Sequence, residues 1–240
     1  MASEWIRLND DLSKKIIHKG TLGNRPHFWS EVELKFVRCS LESDILPPVL
    51  CSSSEDCVRV RVGKACDEWS RILNVSIQLM DEGELSLFRA KSGDGTLIEF
   101  QLNLVTIVSQ ALLLPLWEVP NMIEVGHELK NLGVTLHKEK RTVDSFHLFA
   151  QALKILLPAE VRLTQQVAAN SENVDEQARI WKEEITPTIS SLYSNLAACQ
   201  LEKGNYDMVL HLCDNALERN PSDSKAIYRK ASALIGNYTN

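Results

Sequence analysis

The chain has 240 residues and carries 32 acidic against 26 basic side chains, which gives a formal net charge of −6. This acidic balance disfavours a nucleic-acid partner, because a protein that binds phosphates needs a basic surface. A hydrophobic fraction of 44% predicts a folded chain with a sizeable core. The longest apolar stretch, residues 105–117, is broken by polar residues and a proline and is shorter than the roughly 18 residues of a membrane span. We therefore expect one large or two smaller domains and no membrane-spanning segment.

The first 108 residues alternate apolar and polar side chains with the period of half-buried strands. Residues 28–38 and 58–62 show this alternation, the second as a repeat of Val and Arg. Two later runs, residues 84–90 and 96–108, flank the sequence Ser-Gly-Asp-Gly, whose glycines supply the positive φ of a tight hairpin. The pattern predicts an antiparallel sheet.

A short helix is predicted between the second and third of these strands. Residues 67–80 place their large apolar side chains at helical spacing, beginning with Trp69 and ending with Met80. One helix on one sheet is an α+β plan. Residues 115–121 contain two prolines and read as a linker, after which the apolar period changes to about 3.6. The predicted domains are therefore residues 1–114 and 115–240.

Two segments of the helical half share a spacing of small residues, and a third segment begins it. Counted within residues 126–159 the eighth place is Gly133, and within residues 190–223 it is Ala197. A third unit, residues 224–240, is incomplete. This spacing is typical of the tetratricopeptide repeat, a pair of helices of about 34 residues.

The residues between the first two units read as extensions of their helices. Residues 159–189 are rich in Glu, Gln, Arg and Lys around a few apolar positions. Within them Pro187 follows Thr186, which is typical of a helix start with a threonine cap and a proline at the first position. The alternative is a proline inside a helix that continues through it.

The chain carries several segments in a recognisable order. Asp-Asp-Leu-Ser-Lys-Lys-Ile-Ile-His-Lys-Gly at residues 10–20 precedes Val-Glu-Leu-Lys-Phe at residues 32–36, the Trp69 helix, and then Met80-x-x-Gly83-Glu84 and the repeats. This order resembles an FKBP-type immunophilin with tetratricopeptide repeats, and the long interval from Trp69 to Met80 resembles its divergent branch. The resemblance implies an N-terminal FKBP-like antiparallel sheet wrapped on one short helix, followed by an all-α repeat domain.

FKBP-type immunophilins catalyse prolyl isomerisation in an aromatic-lined pocket, without a nucleophile or a metal. Trp69 matches the tryptophan of the pocket floor, although a buried tryptophan more often serves packing alone. Cys66 and Asp67 replace the expected valine and isoleucine, the expected Phe-Asp pair is missing from residues 41–48, and the hairpin at residues 93–95 replaces a tyrosine loop. These departures from the family pattern predict a degenerate prolyl pocket without isomerase activity, and the resemblance implies no cofactor or metal.

The resemblance implies a second site in the repeats. Chaperone-binding members of the family hold the carboxylate of a Glu-Glu-Val-Asp tail in a clamp of lysines, asparagines and an arginine. Lys130, Asn195, Lys225 and Arg229 match four of the five clamp places, while Val134 takes the fifth. Losing one hydrogen bond to a carboxylate weakens binding by about 1.5–3 kcal/mol. The alternative for each basic residue is an ordinary solvated helix face.

Three functions follow from these observations. The favoured one is a non-catalytic scaffold for partner proteins, and resemblance to a clock-associated branch of the family implies the casein kinase Doubletime, whose circadian function the chain would enhance. The others are a co-chaperone of the ninety-kilodalton heat-shock protein and a weak prolyl isomerase. The incomplete last repeat leaves Ile227, Leu234 and Ile235 on an open apolar face, which predicts a homodimer or a partner contact. An N-terminus without an export signal predicts a cytoplasmic protein, with entry into the nucleus left open.

Overall fold

The computed structural model describes residues 4–39, 57–169 and 176–239. The chain separates into two units, Met1–Leu116 and Trp117–Asn240. The predicted boundary after residue 114 lies within a 3-10 turn at Leu114–Leu116.

The described part of the first unit forms a six-stranded antiparallel sheet. Its strands are β1 (Ile6–Arg7), β2 (Leu12–His18), β3 (Glu31–Cys39), β4 (Val58–Arg61), β5 (Leu85–Lys91) and β6 (Leu97–Ser109). Their order across the sheet is β1-β2-β5-β6-β3-β4. The four strand runs found in the sequence correspond to β3, β4, β5 and β6. The sequence did not single out β2, because the charged Lys14 occupies one of its buried positions and interrupts the alternation.

The core of this unit lies between the sheet and the helix α1 (Glu68–Gln78), as the α+β prediction required. The inward residues of β6 alternate from Ile98 to Leu104 and are buried. Phe88 on β5 pairs in register with Phe100 on β6, and their stacked rings lie 5.3 Å apart. The face of α1 toward the sheet buries Leu73 and Ile77, so the helical spacing in the sequence marks the packed face.

One ion pair lies inside this core. Lys14 Nζ is 2.6 Å from Glu84 Oε1, and the two side chains are 5% and 1% exposed. Lys14 also donates a hydrogen bond to the carbonyl of Leu79, while Glu84 accepts from the hydroxyl of Ser86 and the backbone N–H of Asp81. Because both charges are paired and hydrogen-bonded, the pair is tolerated in the core.

The second unit is helical throughout its described residues, as the 3.6-residue period predicted. Its helices are α2 (Val119–Lys138), α3 (Thr142–Ala169), α4 (Glu176–Glu202), α5 (Tyr206–Arg219) and α6 (Ser224–Thr239). Consecutive helices pack on one another, and α4 also contacts both α2 and α6. No helix among the described residues combines the length and the apolar character needed to cross a membrane.

The small residues of the repeat spacing lie where helices touch. A Cβ atom added to Gly133 on α2 would lie 2.6 Å from the ring of Phe149 on α3, and one added to Gly126 would lie 2.6 Å from Leu156. Contacts this short are essentially never found for real Cβ atoms. The close approach of α2 and α3 therefore requires glycine at both places.

The helix start predicted at Thr186-Pro187 is wrong. Helix α4 begins at Glu176 and continues through Pro187, and the hydroxyl of Thr186 donates to the carbonyl of Lys182 within the same helix. A proline inside a helix removes one backbone hydrogen bond. The helix persists because Ile185, Thr188 and Ile189 around the proline are buried against its neighbours, and tertiary packing overrides the local preference.

Candidate functional site

In the first unit, Asp67 caps helix α1. Its Oδ1 accepts a hydrogen bond of 2.7 Å from the backbone N–H of Ser70, and its Oδ2 accepts one of 2.9 Å from the Ser70 hydroxyl. This is the position and the bonding of an N-cap residue, where a negative charge also opposes the positive end of the helix dipole. Asp67, which the sequence analysis assigned to the degenerate prolyl pocket, is therefore hydrogen-bonded to Ser70 in the first turn of α1.

Trp69 lies in the first turn of α1 and packs against the core while remaining partly exposed. One turn further along, Leu73 is buried against the sheet on the same helix. Cys66 is partly buried just before the cap. The segment 41–48, where the Phe-Asp pair was found missing, lies outside the described residues.

A compact hairpin joins β5 and β6. Asp94 accepts hydrogen bonds from the Ser92 hydroxyl and from the backbone N–H of Thr96, and these hydrogen bonds lower the pKa of its carboxyl to about 2. The backbone N–H of Gly93 donates to Glu68 Oε1 at 2.7 Å, which fastens the hairpin to the start of α1. The hairpin is therefore held by its own polar groups.

In the second unit, helices α2, α4 and α6 line one surface, which we call the groove. His127 Nε2 lies 3.2 Å from Thr188 Oγ1, and ten residues later His137 Nε2 lies 3.4 Å from Glu202 Oε1. Because the contacts advance in the same direction along both helices, α2 and α4 run parallel. Arg229 on α6 reaches Ser194 on α4. The first helices of successive tetratricopeptide repeats are related in this way.

Two of the four predicted clamp residues line one cavity. Lys225 and Arg229 stand four residues apart on α6 and therefore lie on the same side of the helix. They face α4 across a cavity of about 410 Å³. Its other lining residues are Ala198, Leu201, Glu202, Ser224 and Tyr228. The structure thus brings the two basic places of the third repeat together.

Arg229 is a largely buried cation with no ion-pair partner in the described part of the chain. Burial lowers the pKa of its guanidinium, and Asp223 offsets this only through a longer-range attraction. Its Nη1 donates a hydrogen bond of 2.5 Å to Ser194 Oγ, and no carboxylate among the described residues lies within ion-pair distance of it. By contrast, Arg219 on α5 is paired in bidentate fashion with Glu160, at 2.9 and 3.1 Å. The field around Arg229 therefore favours an added anion.

Lys130 and Asn195 lie on the neighbouring groove helices and do not line this cavity. Burial lowers the pKa of the Lys130 ammonium group, and the described residues offer it no ion-pair partner. Asn195 is partly exposed on α4, three residues before Ala198 at the cavity wall. Val134 lies one turn beyond Lys130 and is partly buried. Its side chain is apolar and therefore offers no hydrogen bond at this place.

The sequence did not identify Glu202, Tyr228 or Ser194. Glu202 follows Asn195 by seven residues and so falls two turns further along the same helix face, a signal that the spacing contained. Tyr228 is 70% exposed beside Arg229. No sequence pattern marks Ser194, because its hydrogen bond with Arg229 depends on how closely α6 approaches α4.

The histidines of the repeats do not form a metal centre. His127 and His137 contact α4, whereas His147 is exposed on α3. Within residues 4–39, 57–169 and 176–239 there is no group of three or more metal-binding side chains with suitable placement.

The chain matches known proteins over different fractions of its length. The chain is 25% identical to Protein Bride of doubletime of Drosophila melanogaster over 97% of its own length and 80% of that protein. It is 47% identical over 52 residues to the FK506-binding protein-like of Mus musculus, which covers 21% of this chain and 15% of that one. It is 29% identical over 112 residues to the Hsp70/Hsp90 co-chaperone CNS1 of Saccharomyces cerevisiae, covering 47% and 22% of the two chains. No protein-family model matches the chain.

Among solved structures, the crystal structure of residues 1-211 of CG17282 superposes with a TM-score of 0.67. The two sequences are 22% identical, and the match covers 86% of this chain and 96% of that one. At this identity the likeness concerns the fold, and it extends over both the sheet and the helices. The predicted resemblance is confirmed: the chain is similar to the divergent FKBP-type immunophilins with tetratricopeptide repeats, and along nearly its whole length to Bride of doubletime.

Proposed function

We propose that this chain is a non-catalytic scaffold whose groove binds partner proteins by a C-terminal carboxylate. The observation that carries the proposal is Arg229, a desolvated cation that lines a cavity with Lys225 and has no carboxylate within ion-pair distance in the described structure. A buried charge without a partner lowers the stability of a protein. A carboxylate that enters the cavity neutralises it and regains that free energy on binding.

The expected strength follows from the donors that the cavity offers. The guanidinium of Arg229 can bind a carboxylate with two parallel N–H donors, and Lys225 adds a point charge. Each hydrogen bond to a charged group contributes about 1.5–3 kcal/mol, which is about tenfold or more in affinity. With Val134 in the fifth clamp place, we expect weaker binding than a complete clamp provides.

Two partners are proposed for this chain. Similarity to Bride of doubletime over 97% of the chain favours the casein kinase Doubletime, whose circadian function the chain would enhance. Similarity to the co-chaperone CNS1 over 47% of the chain favours the Glu-Glu-Val-Asp tail of the ninety-kilodalton heat-shock protein. A competing tail peptide separates them, since it displaces a chaperone from the groove and leaves a kinase that binds elsewhere.

We also propose that the sheet unit has no isomerase activity. Asp67 caps α1, and the resemblance implies that the compact hairpin around Asp94 replaces the tyrosine loop of catalytic members. An assay with a short prolyl peptide tests this proposal. Turnover that an FKBP ligand inhibits would refute it.

The test of the groove is calorimetric titration of the full chain with a Glu-Glu-Val-Asp peptide. We expect binding that the double variant Lys225→Ala/Arg229→Ala weakens by tenfold or more. The matched control is Lys154→Ala/Arg179→Ala, which removes one lysine and one arginine from exposed helix positions. Equal loss in both double variants would mean that only the net charge matters, and no binding by the unaltered chain would refute the proposed site.

The apolar face of α6 is the remaining contact proposed from the sequence, with a second copy of the chain as one occupant. Ile227 and Leu234 are 50% and 43% exposed there. Light scattering at high concentration tests self-association. A single monomeric species would refute the dimer.

A further inference from the structure

Glu202 places a negative charge in the cavity that Lys225 and Arg229 line. It is the last residue of α4, and its side chain is 51% exposed. The hydroxyl of Thr142, at the start of α3, donates a hydrogen bond of 2.5 Å to its Oε2. His137 Nε2 lies 3.4 Å from its Oε1 without forming a hydrogen bond. The hydrogen bond from Thr142, on the first repeat, therefore holds this carboxylate in position.

No lysine or arginine of the described residues forms an ion pair with Glu202. Lys225 and Arg229 share the cavity with it but lie beyond ion-pair distance. The cavity therefore has a cationic side on α6 and an anionic side at the end of α4. A ligand that fills it meets both.

We propose that Glu202 makes the groove select C-terminal tails that carry a lysine or arginine shortly before the terminal carboxylate. This inference rests on the proposed function, because the terminal carboxylate must first engage Lys225 and Arg229. A basic side chain beside Glu202 gains an opposite charge in a partly desolvated cavity, whereas an acidic one meets a like charge. Tyr228, exposed on the α6 side of the same cavity, offers a ring face on which such a cation can also pack.

The size of the effect follows from the exposure of Glu202. An ion pair at a half-exposed site changes affinity by a few-fold, and replacing attraction with repulsion doubles that effect on the logarithmic scale. We expect tails with basic residues to bind about tenfold more tightly than tails with acidic ones.

The test uses the full chain and two peptides with the same end, Lys-Lys-Val-Asp and Glu-Glu-Val-Asp, each with a free and an amidated C-terminus. Fluorescence anisotropy gives the four dissociation constants for the unaltered chain and for Glu202→Gln. Glutamine keeps an acceptor for Thr142, so the variant removes the charge and retains the hydrogen bond. The control is Glu218→Gln, which removes one negative charge on α5 from a residue that does not line the cavity.

The unaltered chain is expected to prefer the lysine peptide about tenfold, Glu202→Gln to reduce the preference to about twofold, and Glu218→Gln to leave it unchanged. An unchanged preference in Glu202→Gln, or a preference for the glutamate peptide in the unaltered chain, overturns the role of Glu202 alone. Binding of neither free-acid peptide, or equal binding of free and amidated forms, overturns the proposed carboxylate site and this inference with it.

Discussion

Replacing Arg229 should weaken the binding of a C-terminal carboxylate without lowering the stability of the fold. The variant Arg229→Met keeps most of the apolar stem and removes a largely buried charge that has no carboxylate of the described residues within ion-pair distance. Among the described residues, the guanidinium donates a hydrogen bond only to the hydroxyl of Ser194, which is 2% exposed. A buried hydroxyl without a partner costs about 1–3 kcal/mol. We therefore combine Arg229→Met with Ser194→Ala, which removes both polar groups together.

For this double variant we expect a free energy of unfolding that is unchanged or raised by about 1 kcal/mol, because apolar replacements of buried charges are often neutral or stabilising. Carboxylate binding should fall by about 1.5–3 kcal/mol, or roughly tenfold to a hundredfold, since the main donor is lost. A residue kept for binding shows this combination, whereas a structural residue shows loss of stability.

Urea unfolding followed by circular dichroism measures the stability, because the signal comes mainly from the helical unit. The control is Arg219→Met, which leaves Glu160 without the partner that it contacts at 2.9 Å. Breaking this pair should cost about 3 kcal/mol. If the Arg229→Met/Ser194→Ala chain loses as much stability as the control, Arg229 is a structural residue and the reasoning about the groove is refuted.

Three further predictions concern residues that stabilise the fold outside the groove. Lys14→Met should lower the free energy of unfolding by about 3–5 kcal/mol because it leaves Glu84 charged and unpaired in the core, and adding Glu84→Gln should restore most of the loss; a cost below about 1 kcal/mol in denaturant unfolding would contradict this. Lys140→Gly should raise the free energy of unfolding by about 1 kcal/mol, since the residue lies just after α2 and its cap Glu139 with a φ of 62° that favours glycine, and a loss in the same measurement would argue against backbone strain. Ser92→Ala should raise the pKa of Asp94 from about 2 toward 3.8, as followed by nuclear magnetic resonance, and an unmoved pKa would rule out the hydroxyl as its main cause. Because the pKa of Asp94 is depressed in the fold, its stabilising contribution is present above pH 3.8 and is lost as the pH falls toward 2.

The sequence predicted the sheet and helix pattern well where burial alternates regularly. Strands β3 to β6 follow from their period of two, and the face of α1 from its apolar spacing. Strand β2 could not be found in this way, because the partner that allows Lys14 to be buried, Glu84, lies far away in sequence. The continuous helix through Pro187 likewise depends on burial by neighbouring helices, which local preference does not report.

The candidate sites were predictable in part. Lys225 and Arg229 follow from the repeat spacing, and the structure places them on one cavity. The role of Asp67 was open to sequence reasoning, since an aspartate directly before a helical pattern is typical of an N-cap. The shortage of counter-charge around Arg229 and the position of Glu202 could not be predicted, because both depend on the distances between helices.

The most direct test of the groove is a double-mutant cycle on the binding of the Glu-Glu-Val-Asp peptide. It combines the variant Arg229→Met/Ser194→Ala with amidation of the C-terminus of the peptide. Calorimetry measures four binding free energies, for the unaltered and altered chains with the free-acid and amidated peptides. If Arg229 binds the terminal carboxylate, the two changes should be coupled by about 1.5 kcal/mol or more, because each removes one side of the same contact. Additive losses, with a coupling energy below about 0.5 kcal/mol, would contradict the account.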